Sequence, residues 1–248
     1  WLKLSPAAYQ LHPYRWPTIG KEISHIENIN MEEVKAFFDT YYAPSNAILV
    51  IAGNINLSEA QRLCAKWFAP IEDRSVKKRI IPLEPKQTQG RHIDLTAQVP
   101  QNAIYKAYHM PGRASIQYQA NDLLSDILGR GKSSLLHQRG VKKSQVFSSL
   151  SSYVTGSIDP GLMIISGRLN ENITFEKAEK TLDDALQQLK IQPTESLKKV
   201  KNMAASSITF GEIDLLNRAM SLAYSTHLGN TDLVNKEIDI IDAVTEEE

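Results

Sequence analysis

The chain has 248 residues, enough for one large domain or two smaller ones that each bury a core. Its 28 basic and 28 acidic residues cancel, so it carries no electrostatic footprint for nucleic acid or an anionic membrane. The longest apolar run, AILVIAG at 47–53, is too short for a membrane span, and the single Cys64 excludes an internal disulfide framework.

Residues 1–30 are rich in Pro and aromatics (SPAAYQLHPYRWPTIG) and read as loop, with His12 a loop residue. Because the chain opens on Trp1 rather than Met, an upstream segment is expected. Asn30 with Glu33 forms a capping box, and Val34, Phe37, Phe38, Tyr41 and Tyr42 make one apolar helical stripe that Pro44 ends. AILVIAGNI is β-branched and continuous, which predicts a strand buried on both faces. Asn56 caps a further helix, with Leu57, Leu63, Cys64, Trp67 and Phe68 on its apolar side; Cys64 is expected as a packed thiol.

Residues 70–91 contain three prolines, mixed charge and no period, as a linker does. Beyond them the pattern restarts. HIDLTAQV and NAIYKAYHM alternate like strands, SIQYQANDLLSDIL is helical, and GRGKSSLLHQRGVKK is a Gly turn followed by a helix. QVFSSLSSYVTG and GLMIISGRL predict two strands joined by a turn. A helix follows from Thr174, then a long one over about 194–228 and a shorter one from Thr231. The order is that of an α+β fold with helices packed on a largely antiparallel sheet.

IENINMEE at 26–33 is echoed by IDAVTEEE at 241–248, at a constant offset of 215 (241 − 26 and 245 − 30). In the first copy the capping box opens a helix and then a strand. In the second, Thr245 and Glu248 form the box, and a helix and strand are expected to follow.

No self-contained active site emerges. GRGKSS lacks the first glycine of a phosphate loop, Asp126 standing there, and it follows a helix rather than a strand. The six histidines include no zinc-type spacing, and the serines of VFSSLSSYV have no nucleophile elbow. KKVK at 198–201 reads as a solvated helix face.

HPYRWPTIG, EEVKAFFDTYYAPSNAILVIAGNI and GRGKSSLLHQRGVKKSQVFSSLSSY together resemble the insulinase/pitrilysin-like zinc metallopeptidases, the inverzincins, in their processing-peptidase-like bacterial branch. The resemblance implies tandem homologous α+β domains, each a largely antiparallel sheet packed with helices on one side. Residues 1–69 would end a metal-binding-type first domain, 70–91 would be the linker, and 92–248 a metal-free second domain that continues beyond Glu248. No catalytic or metal residue is expected in this chain, which lacks His-x-x-Glu-His; zinc and the general base are expected in the parent protein.

Family members hold the substrate backbone with an Arg and a Tyr in the second domain. Lys142 falls at the Arg position and Ser148 at the Tyr position, with Phe147 the alternative for the latter. The resemblance therefore implies the substrate-holding portion of a zinc-dependent peptidase, not catalytic alone. The alternative is a non-catalytic partner subunit or peptide-binding scaffold. Expected partners are a peptide substrate and the missing N-terminal catalytic domain or a catalytic subunit, in a homo- or heterodimer. No nucleic acid or membrane span is expected, and bacterial cytoplasm and periplasm both stay open.

Overall fold

The computed structural model describes residues 2–20, 22–76, 79–189 and 194–247. They fall into two compact units, one of residues 1–93 with 214–227, the other of 94–213 with 228–248.

The first unit contains α1 (Leu4–Ala8), α2 (Ser24–Glu27), α3 (Met31–Tyr41) and α4 (Leu57–Phe68). The Asn30–Glu33 capping box forms in both directions. Asn30 Oδ1 accepts the Glu33 N–H at 2.9 Å, and Glu33 Oε2 accepts the Asn30 N–H at 3.1 Å. Asn56 caps α4 the same way, but Glu59 turns to Arg62, whose guanidinium donates to both carboxylate oxygens. The apolar stripe of α3 has the expected period yet lies open: Phe37 is 59 % exposed and Phe38 50 %. Cys64 is half-buried.

AILVIAG joins no ladder among the described residues, and Leu49 and Ile51 are exposed, contrary to the expected buried strand. HIDLTAQV likewise forms no strand, and the Val99 N–H donates to the Ala97 carbonyl in a tight turn. Composition favours a strand, but a strand also needs a neighbour for its outward N–H and C=O groups.

The stretch read as a linker is tied down at one end. The Glu84 carboxylate accepts the backbone N–H groups of Gln10, Leu11 and His12 at 2.6–2.9 Å. Arg91 Nη1 donates to the Ala7 and Ala8 carbonyls. His12, expected as a plain loop residue, is 3 % exposed; its Nδ1 accepts the Tyr14 N–H and so caps a 3₁₀ turn over Pro13–Arg15. Burial raises the neighbouring Tyr9 phenol, and Tyr14 and Glu84 add to the shift.

The second unit carries a three-stranded antiparallel sheet, β1 (Ala103–Met110), β2 (Phe147–Val154) and β3 (Gly161–Leu169), in the order β1-β3-β2. α5 (Tyr118–Gly129) and α6 (Phe175–Leu189) pack on one face. Leu128 of α5 and Leu182 of α6 meet Leu150, Ile165 and Leu169 there, all 6 % exposed or less. Each such side chain contributes about 1.5–3 kcal/mol of burial. The Gly129 Cα lies so close to β2 that a Cβ added to it would sit 1.8 Å from the Ser152 backbone nitrogen.

α5 is also covered on its outer side. Leu123 meets Val200 of α7 (Thr194–Gly211) and Ile241 of α9 (Leu233–Ala243) in a second cluster. The long helix expected over about 194–228 is therefore two helices. α7 ends at Gly211, and α8 (Leu215–His227) restarts where Asp214 Oδ1 accepts the N–H groups of Leu216 and Asn217. α8 groups with the first unit. KKVK is more than a solvated face: Val200 is buried, and Lys201 Nζ donates to the Asp242 and Val244 carbonyls at the end of α9, the favourable place for a cation. Thr245 lies in irregular backbone after α9, and the Glu248 half of the expected box falls outside the described residues.

Candidate functional site

The three residues implied to touch substrate stand on one irregular stretch of backbone. Lys142 lies at the end of a π-helical turn, His137–Lys143, closed by the Ser144 N–H donating to the Arg139 carbonyl at 3.0 Å. Gln145 follows at φ 52°, a left-handed conformation unusual for a side chain of its kind. Asn170 secures it, donating from Nδ2 to the Gln145 carbonyl at 2.7 Å. The β2–β3 register then slips between Phe147 and Ser149, so Ser148 is the extra residue of a β-bulge. π-turns, left-handed residues and bulges each cost stability and recur where a side chain has to be re-aimed. None of them has a signature that composition or period could have shown.

These irregularities send neighbouring side chains to different places. Phe147 is 1 % exposed and lies in the core, its ring passing close to Gly140 and Gly167. Ser148 is exposed, and its Oγ donates to the Arg168 carbonyl at 3.3 Å. Lys142 is exposed as well. GRGKSS is a turn: Gly131 has φ 79°, and Ser134 Oγ donates to its carbonyl.

Side chains alternate across a sheet, so the face turned away from α5 and α6 can be read from the register. Its first row holds Ala103, Arg168 and Ser149; the next holds Tyr105, Ser166 and Ser151. Ala107, Ile164 and Tyr153 make the third row, and His109 with Leu162 continues it. Tyr105 and Tyr153 are 52 % and 42 % exposed, while Leu162 and Ile164 are buried. The Ser151 and Ser166 hydroxyls are hydrogen-bonded at 3.2 Å. Burial pushes the Tyr153 phenol up, with a smaller contribution from Tyr105. Alternation along β2 alone places Tyr153 on the same side as Ser149 and Ser151, whereas Tyr105 and Arg168 join them only through the register of three strands.

This face offers serine hydroxyls, aromatic rings, the His109 imidazole and one guanidinium. Among the described residues no three His, Cys, Asp or Glu side chains come together as metal ligands. No helix among them is long and apolar enough to cross a membrane. The first unit has an open hollow of about 550 Å³ lined by Asn46, Ile48, Met220, Ala223, Tyr224 and His227 among others, also without a catalytic grouping.

The second unit is an α+β domain, with helices packed on one face of an antiparallel sheet. The family description "peptidase M16 inactive domain" matches residues 28–203, and the chain belongs to that family. Zinc protease PqqE of Helicobacter pylori is 30 % identical over 190 residues, covering 74 % of this chain and 42 % of that protein. The crystal structure of a protease from Helicobacter pylori superposes with a TM-score of 0.86 at 25 % identity, over 99 % of this chain and 60 % of the other. A peptidase M16 inactive domain from Pseudomonas fluorescens shares the fold at a TM-score of 0.83 and 22 % identity, over 99 % of this chain and 58 % of that one. The chain spans less than half the length of the curated relatives it matches. The expected insulinase/pitrilysin-like membership and the α+β fold with an antiparallel sheet are both borne out.

Proposed function

We propose that this chain is the substrate-holding portion of a zinc-dependent peptidase, with the zinc and the general base supplied from outside it. The observation that carries the proposal is the sheet face bearing Tyr105, Tyr153, Ser149 and Arg168, bordered by the bulged start of β2. Among the described residues both outer strands of the sheet, β1 and β2, have ladder partners on one side only, as extended peptides require for strand addition. Phe147 fills the core, which leaves Lys142 and Ser148 as the polar candidates for contact with a peptide backbone.

The names of the relatives as zinc proteases support zinc in the parent protein. The domain boundaries suggested by the sequence fit this reading, with residues 1–69 the end of a metal-binding-type domain and 92–248 part of its metal-free companion. The open apolar side of α3 and the unpaired AILVIAG are then the surface on which the rest of that first domain packs. A second reading, a non-catalytic partner subunit, draws on Lys142 and Ser148, because neither reproduces the planar fork of Arg or the reach of Tyr.

Titration of a labelled, unstructured peptide into the purified chain, followed by anisotropy and mass spectrometry, tests the proposal. The peptide is expected to bind and to be recovered uncut, and the Tyr105→Ala/Tyr153→Ala variant to weaken binding about tenfold, one stacked aromatic contact or so. Recovery of cleaved peptide, or unchanged affinity in a variant that folds normally by circular dichroism, overturns it.

A further inference from the structure

The face that carries the proposed peptide contacts is also one-sided in charge. Its strand positions contain no carboxylate, and Arg168 is their one permanent cation. On the opposite face the strand cation Lys106 is neutralised, its Nζ lying 2.8 Å from Asp183 of α6. The Arg168 guanidinium has no ion pair or hydrogen bond among the described residues, although Ser148 Oγ donates to its backbone carbonyl. Its flanking positions are Ala103 on β1 and Ser149 on β2, both too short to screen it. The π-helical turn leading into β2 ends in two further exposed cations, Lys142 and Lys143.

We infer that Arg168 is a specificity residue that selects peptides with an acidic side chain. The inference rests on the proposed peptide-holding role of the same face. An extended peptide beside β2 presents alternate side chains to this face. A Glu or Asp among them meets an Arg that pairs with carboxylates through two parallel N–H donors, with no competing carboxylate on the strands beside it. Apolar or aromatic residues further along the peptide meet Tyr105 and Tyr153.

The experiment uses the full chain and two labelled peptides identical but for one central residue, Glu in one and Gln in the other. The Glu peptide is expected to bind about three- to fivefold more tightly, the range of an exposed ion pair. Arg168→Gln should abolish the difference, Arg168→Lys should keep part of it, and Arg168→Glu should reverse it. Added salt should shrink the wild-type preference. Equal binding of the two peptides to the wild type, or a preference that survives Arg168→Gln, overturns the inference and leaves the peptide-holding role standing. Absence of binding by either peptide overturns both.

Discussion

Replacing Phe147 by Ala removes a ring that is 1 % exposed from the centre of the second unit's core. Large-to-small changes at such sites cost about 3–5 kcal/mol, much of a domain's total stability. The structure also says which partner should compensate. A Cβ on Gly167 would lie 2.7 Å from Phe147 Cδ1 and Cε1 and 2.8 Å from Leu150 Cδ1, so Gly167→Ala alone overpacks the site by about 1–3 kcal/mol. With the ring gone, most of that clash has nothing to meet. The double variant should therefore be more stable than the sum of the two single effects predicts, with a coupling of about 1–2 kcal/mol. Urea unfolding followed by far-ultraviolet circular dichroism on the wild type and the three variants gives the cycle. Additivity within about 0.5 kcal/mol would refute the packing that places Phe147 in the core rather than at the substrate.

Two further outcomes follow from the same unit. Gly129→Ala should destabilise it by about 3 kcal/mol, near the top of the usual overpacking range, because the new Cβ would lie 1.8 Å from a backbone nitrogen of β2. The gain in helix propensity, about 1 kcal/mol, is too small to offset this, and thermal unfolding measures the difference. Burial raises the Asp122 carboxyl above its ordinary 3.8, helped by Asp126 and Glu237 and opposed by Arg113 and Arg130. The unfolded chain then ionises first as pH rises, so this group's stabilising contribution is complete below 3.8 and is lost as pH climbs through the raised value. Asp122→Asn should accordingly raise the urea midpoint at neutral pH and flatten its pH dependence on the acid side; an unchanged profile counts against the shift.

The elements whose signals are local were legible in the sequence. The Asn30–Glu33 box, the alternating strands NAIYKAYHM and GLMIISGRL, and the helix stripe from Phe175 all form where side-chain period and capping chemistry put them. What failed depends on partners distant in the chain. AILVIAG and HIDLTAQV have strand composition, yet a ladder requires a neighbour and none is present among the described residues. His12 stands in a Pro-rich stretch of loop composition, and it is Glu84, far along the chain, that holds its backbone N–H. The site was legible only in outline. The family resemblance led to Lys142, Phe147 and Ser148, but the π-turn and the bulge that bury one and expose the others leave no compositional trace. Tyr105, Tyr153 and Arg168 share a face because three strands pair in one register, and alternation within a single strand cannot reveal that.

Hydrogen–deuterium exchange of the chain, with and without a saturating peptide, tests the location of peptide holding most directly. The amides of β1 and β2 that point away from β3 have no strand partner among the described residues and should exchange more slowly once an extended peptide adds to the sheet. The account predicts new protection over 103–110 or 144–154, with β3 little changed because it is already paired on both sides. Protection confined to residues 1–93 and 214–227, with both outer strands unaffected by a bound peptide, would contradict it.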